Sequence, residues 1–161
     1  MPELPDIEMY RHALRSRVVG SVLRRVRLTS PFVLRSIAPP IDAVEGKQAL
    51  DVQRLGKRLV LVLEDELYLV LHLMIAGRLH WKPRAHKIPG RVGLAAFDFD
   101  EGTLVLTEVS MKKRAALHVC HGALALREHD PGGIEPLTID YVGFRDALLE
   151  RNHTVKRALT D

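Results

Sequence analysis

Proline at position 2, followed by Glu3, is the pairing in this chain with the most direct chemical use. Removal of Met1, which a small second residue favours, leaves Pro2 as a free secondary amine. An α-amino group has a reference pKa of about 8, so a useful fraction is unprotonated at neutral pH. Such an amine attacks a carbon centre and passes to an iminium, serving first as nucleophile and then as electron sink. Glu3 is placed beside it to move protons. The plainer alternative is that Pro2 only begins the chain and Glu3 stabilises a helix end. A second cluster, His118-Val119-Cys120-His121, would put His118 and Cys120 on one strand face. Three ligands without a fourth nearby do not make a zinc site, and no metal is expected in this segment.

Charge supplies the next clue. Between Tyr10 and Ile41 lie Arg11, Arg15, Arg17, Arg24, Arg25, Arg27 and Arg35, with no acidic residue and no lysine. Phosphate suits such a stretch, because the planar guanidinium binds oxygens two at a time and each contact releases counterions. A solvated helix face followed by an exposed strand face would look similar. The whole chain of 161 residues is 47% hydrophobic and carries a net charge of +4. That excludes a disordered polymer, and a lone Cys120 excludes an intrachain disulfide. No apolar run approaches the roughly 20 residues of a membrane span, and no secretory leader opens the chain. A monomeric cytoplasmic protein is the expectation.

The elements that must position these groups follow from periodicity. Pro5 and Asp6 suit the first turn of a helix, Ile7, Tyr10, Leu14 and Val18 share one face, and Gly20 ends it. Strands are expected at Ser21–Leu28, Phe32–Leu34, Leu59–Leu63, Leu67–Met74, Arg78–Trp81, Leu94–Phe99, Thr103–Val109 and Ala116–Val119. Lys82–Arg91 reads as a basic loop. Asp130-Pro131-Gly132-Gly133 is a turn cluster. Thr138 or Asp140 caps a helix bearing Tyr141, Phe144, Leu148 and Leu149, and Thr154 caps another. The fold class is α+β: a two-layer antiparallel β-sandwich with an N-terminal helix and C-terminal helices.

Several motifs then align in order. Met1-Pro2-Glu3-Leu4-Pro5-Asp6-Ile7-Glu8 closely resembles the start of the formamidopyrimidine-DNA glycosylase and endonuclease VIII family. Arg54-Leu55-Gly56-Lys57 is similar to its R-x-G-K strand junction, and His72-Leu73-Met74-Ile75-Ala76-Gly77-Arg78-Leu79 to its H-L-x-M-x-G-x-L segment. Gly133-Ile134-Glu135-Pro136-Leu137 resembles the connector between its two domains, and Val155–Asp161 the opening of its helix–two-turn–helix module. The resemblance divides the chain into a catalytic β-sandwich domain, 1–132, and a connector with the beginning of a truncated second domain, 133–161. The segment is expected to stop two turns into that module.

What the resemblance implies is base-excision repair of oxidised bases in double-stranded DNA, with the damaged nucleotide flipped out of the stack. Pro2 attacks C1′ and forms a Schiff base, Glu3 protonates the sugar ring oxygen, and elimination cuts the strand. Lys57 and His72 match residues that grip phosphate, and Glu8 matches a family carboxylate. Lys112, Lys113, Arg114 and Arg35 are further candidates for DNA contact. Family members often hold one structural zinc in a C-terminal finger, which this segment does not reach, so no cofactor is expected within it.

Departures from the family pattern bear on specificity. Ile75 stands where the family inserts a Met beside the flipped base, with Met74 next to it and pointing the other way if the segment is a strand. Ile can still serve as an apolar wedge. Asp6 replaces the usual Glu. The family's D-P-R-R-F-G is replaced by Glu108-Val109-Ser110-Met111-Lys112-Lys113-Arg114-Ala115, which leaves the preferred lesion and opposite base unread. The alternative function is a damaged-DNA-binding domain that keeps the fold without turnover. An N-terminal-proline tautomerase fits poorly, because those proteins place Pro2 at the start of a strand.

Overall fold

A computed structural model describes residues 2–152 and 154–159. Met1, His153, Thr160 and Asp161 lie outside them.

Helix α1 spans Leu4–Val18 and starts as expected, with Pro5 in its first turn. Its N-cap is Glu3, whose backbone N–H donates to the Asp6 carboxylate at 2.8 Å. That bond occupies one of the N–H groups a helix start leaves without a partner. Ile7, Leu14 and Val18 are its buried residues, while Arg15 and Arg17 sit in the last turn, where the helix dipole favours cations. Gly20, at φ +84°, lets the chain reverse into the first strand.

Eight antiparallel strands follow: β1 (Val22–Leu28), β2 (Lys47–Leu55), β3 (Arg58–Leu63), β4 (Leu67–His72), β5 (Gly77–Lys82), β6 (Gly93–Phe99), β7 (Thr103–Glu108) and β8 (Ala116–His121). Their order is β5-β7-β6-β1-β2-β3-β4-β8. β1 and β2 pair only where Val22 faces Gln48 and Leu23 faces Lys47. At that narrow junction the sheet folds over into two layers of four strands. Leu23, Val26, Phe97, Leu104 and Leu106 of one layer share a core with Val52, Leu59, Leu61, Leu69, Leu71 and Leu117 of the other. Ile7, Leu14 and Val18 belong to the same core, so the first turn of α1 is tied to the sheet. The outer face of β3, β4 and β8 buries Val60, Val70 and Cys120 against Ala125 and Leu126 of the short helix α2 (Ala123–Arg127). Burial on both faces explains why β3 and β4 read as continuous apolar runs.

The expected α+β sandwich is therefore present, but two segments exchange roles. Phe32–Leu34 is not a strand: Pro31–Val33 forms one turn of 3-10 helix, and Leu34 makes only an isolated bridge to Leu117. Pro31 lacks the N–H that a ladder requires. Lys47–Leu55 is a strand that periodicity did not signal. A register shift between Ala49 and Asp51 breaks the two-residue alternation, and only Ala49 and Val52 are buried in it. The apolar run from Leu67 also ends at His72 rather than Met74, and Leu73–Ala76 is a turn.

Packing separates Met1–Asp130 from Pro131–Asp161, two residues before the boundary read from the sequence. In the second unit, Asp140 caps helix α3 (Tyr141–Leu149) by accepting from the Gly143 N–H at 2.8 Å. Thr154 caps the one-turn α4 (Val155–Ala158) through the Arg157 N–H. No helix among the described residues is long and apolar enough to cross a membrane.

Candidate active site and nucleic-acid surface

Pro2 is buried and lines an open recess of about 50 Å³ with Asp6, Tyr10 and Arg78. Asp6 and Tyr10 share one side of α1 by their four-residue spacing, and Pro2 precedes the N-cap Glu3. Arg78 arrives from β5, and the Leu79 N–H donates to the Tyr10 hydroxyl at 3.4 Å, joining the helix to that strand. Arg78 is the member of the recess that sequence reasoning passed over. Its only signal was a variable position inside the H-L-x-M-x-G-x-L segment.

Lys57 reaches Glu3, the residue next to Pro2, from the β2–β3 turn. Its Nζ lies 2.6 Å from Glu3 Oε2, and both side chains are about half exposed, at 46% and 49%. An ion pair so exposed contributes roughly 0.2–1 kcal/mol to stability. Its consequence is one of placement: an ammonium is held against the carboxylate of the residue next to Pro2. Met1, whose removal the amine chemistry needs, lies outside the described residues.

The turn that carries Lys57 is braced from behind. Arg54, with its side chain only 8% exposed, donates from Nε to Glu8 Oε1 at 2.6 Å and from Nη1 to the Gly56 carbonyl at 3.0 Å. Glu8 also pairs with Arg11 at 2.7 Å. Hydrogen bonding from Arg11, then from Arg54, holds the Glu8 carboxyl below its ordinary pKa despite partial burial. Glu8 is thus a strut between α1 and the β2–β3 turn, and the family match at that position acquires a structural explanation.

His72 ends β4, opposite Arg58 on one side and Ala116 on the other. Burial, followed by the charges of Arg58 and Lys57, lowers its pKa. His118 lies on the same outer face, its ring centroid 4.5 Å from that of His129, whose carbonyl accepts from Arg58. Burial, then the neighbouring His129, Arg58, His72 and Arg35, brings the His118 pKa down to about 4. Arg35 is exposed beside β8, its N–H bonded to the Leu117 carbonyl at 2.8 Å. Lys57, Arg58 and Arg35 therefore form a cationic band, with the His72 imidazole held uncharged among them. Among the described residues no three His, Cys, Asp or Glu side chains gather as metal ligands.

The remaining candidates stand at the end of the other layer. Met74 adopts φ +54° and is half-buried, while Ile75 is 50% exposed at the tip of the Leu73–Ala76 turn. The turn is closed by the Gly77 N–H donating to the Leu73 carbonyl at 2.9 Å. A Cβ at Gly77 would meet that oxygen at 2.3 Å, which explains the glycine of the motif. Gly77 pairs with Glu108, so the turn adjoins the exposed loop bearing Lys112, Lys113 and Arg114. The structure thus gathers Pro2, Glu3 and Lys57 in one place and sets Ile75 beside Lys112–Arg114, with Arg35 next to β8.

Comparison with known proteins fits this geometry. Residues 1–116 match the formamidopyrimidine-DNA glycosylase N-terminal domain. A formamidopyrimidine-DNA glycosylase of Heliobacterium modesticaldum is 34% identical over 169 residues, covering 100% of this chain and 61% of that protein. One from Thermus thermophilus is 40% identical over 86 residues, or 53% of this chain and 31% of that one. The chain thus spans at most 61% of the length of these relatives. Among solved structures, Lactococcus lactis Fpg in complex with abasic-site DNA superposes with a TM-score of 0.83 at 23% identity, covering 98% of this chain and 60% of that one. MutM in complex with DNA containing carbocyclic 8-oxo-G gives 0.83 at 23% identity, covering 98% and 61%.

Proposed function

The chain belongs to the formamidopyrimidine-DNA glycosylase family, and we propose that it forms the catalytic part of a glycosylase and abasic-site lyase acting on oxidised bases in duplex DNA. The observation that carries this reading is Pro2 lining an open recess while Glu3, the next residue, is ion-paired with Lys57.

The chemistry begins with the Pro2 nitrogen, freed by loss of Met1. Its lone pair bonds to C1′ as the damaged base leaves with the electrons of the glycosidic bond. Glu3, a carboxylate in its pair with Lys57, takes the proton that the amine nitrogen loses and passes it to the sugar ring oxygen; the ring opens, and nitrogen and C1′ become an iminium. The iminium draws electrons from C2′ after proton loss there, and elimination releases the 3′ phosphate. Lys57, His72 and Arg35 hold phosphates, Lys112, Lys113 and Arg114 add cationic contacts, and Ile75 with Met74 fills the space left by the flipped nucleotide. The partner is double-stranded DNA with a damaged or abasic site, and the working form is a monomer without a cofactor in this segment.

Borohydride trapping tests this reading. Protein whose N-terminus is shown by mass spectrometry to begin at Pro2 is incubated with an abasic-site duplex and reductant. A covalent adduct is expected, reduced to background in Pro2→Gly and slowed at least tenfold in Lys57→Ala. Tight binding with no adduct from Pro2-terminated protein would instead make the chain a non-catalytic damaged-DNA-binding domain.

A further inference from the structure

Among the described residues, Glu108 is the one acidic side chain in the buried polar set, at 1% exposure. One carboxylate oxygen, Oε2, accepts from the backbone N–H groups of Arg114 at 2.8 Å and Ala115 at 3.0 Å. Its own N–H donates to the Val92 carbonyl at 2.7 Å, and its own carbonyl accepts from Lys113 Nζ. Gly77, which closes the Ile75 turn, is its partner across the ladder. Three chain segments thus converge on this residue: the turn before β5, the segment before β6 and the loop between β7 and β8.

A carboxylate withdrawn from water is expensive unless it is bonded, and Glu108 keeps a buried oxygen, Oε1, with no partner among the described residues. An alanine would avoid that cost but would leave two backbone N–H groups of the loop without an acceptor. What the carboxylate holds is the 109–115 loop, with Met111 at its tip, 97% exposed, and Val109 at 75%. Lys112 and Arg114 follow that tip along the loop and are exposed as well. Apolar side chains displayed among cations fit a surface of stacked bases bordered by phosphates.

We propose that Glu108 is a positioning residue for duplex recognition: its carboxylate fixes the 109–115 loop beside the Ile75 turn, so that Met111, Lys112 and Arg114 engage the DNA together. This inference rests on the nucleic-acid reading above and adds to it the residue that shapes the contact. Without the carboxylate, the loop's backbone turns to water and the two cations no longer stand in register with the duplex.

Fluorescence anisotropy of an abasic-site duplex, recorded from 50 to 200 mM salt, tests it. Loss of the contacts from Lys112 and Arg114 should reduce the slope of log K against log salt by about 2 in Glu108→Ala. Glu108→Gln keeps an acceptor for the loop and should bind within about threefold of the unaltered chain. Met111→Ala should weaken binding about tenfold without changing the slope. An unchanged slope in Glu108→Ala, or equal losses in Glu108→Ala and Glu108→Gln, would overturn the proposal. Should Glu108→Ala lose its cooperative melt, Glu108→Asp takes its place, with amide exchange measured across 109–115. Faster exchange with weaker binding then supports the proposal, and faster exchange with unchanged binding overturns it. Absence of binding by the unaltered, cooperatively melting chain would refute the nucleic-acid reading itself, and this inference with it.

Discussion

Replacing Arg54 by Met tests the strut behind the candidate site, because the thioether fills similar space but donates nothing. The substitution removes the 2.6 Å bond to Glu8 and the 3.0 Å bond to the Gly56 carbonyl. A hydrogen bond to a charged group is worth about 1.5–3 kcal/mol and a neutral one about 1 kcal/mol. The full 3–5 kcal/mol of a broken buried pair does not apply. Glu8 keeps Arg11 at 2.7 Å, and its side chain is 24% exposed, so water restores part of what is lost. The expected loss is about 2–3 kcal/mol. For a chain of this size that lowers the melting temperature by roughly 5–10 °C. The urea midpoint should fall by about 1 M.

Urea unfolding at pH 7 measures the loss, and a double-mutant cycle with Glu8→Gln isolates the pair. A coupling of about 1–2 kcal/mol is expected. Acid unfolding adds an independent check. Glu8 has a folded-state pKa below the ordinary 4.5, so its stabilisation is complete above that value. It disappears as pH falls through the lowered folded value. Arg54→Met brings the folded pKa nearer 4.5, so its stability should decline less steeply in that acid window. A loss under about 0.5 kcal/mol, or simple additivity with Glu8→Gln, would refute the strut.

Lys57→Ala should change stability by no more than about 1 kcal/mol, since its pair with Glu3 is half exposed, yet reduce the salt dependence of duplex binding by about one. Gly77→Ala forces a Cβ against the Leu73 carbonyl oxygen at 2.3 Å and the Leu73 Cα at 2.9 Å, neither of which can rotate away. The turn must open, so urea unfolding should register a loss of about 2–4 kcal/mol and the Gly77 amide should exchange faster. His118 resists protonation in the folded state, with a pKa of about 4 against an ordinary 6.5. The unfolded chain takes up that proton first, so stability should fall as pH drops from 6.5 to about 4 and level off below. His118→Leu should flatten that window in a pH series of urea titrations; an unchanged profile would show that the imidazole is not the titrating group.

Which parts of the site could be read from the sequence follows from the range over which each constraint acts. Pro2, Glu3 and Lys57 could be nominated because carboxylate and ammonium are properties of residue type, the Pro2 amine follows from removal of Met1, and their motifs are short. The Gly77 turn is equally local: its glycine is required by a carbonyl four residues earlier. Strand β2 was missed because a shift between Ala49 and Asp51 erased the alternation that marks a half-buried strand. Phe32–Leu34 was misread for the opposite reason, since local β-propensity outlasted the lack of a ladder partner. Glu8 is harder still, because its partner Arg54 is 46 positions away and only the packing of α1 on the sheet brings them together. Glu108 marks the limit. In the sequence it is only the first residue of a stretch that has lost correspondence with the family, and its surroundings come from three separate loops. Its carboxylate accepts two N–H groups from the very loop whose residues have diverged. A positioning residue of this kind constrains backbone rather than side chains, so the residues it displays are free to differ while their placement is retained.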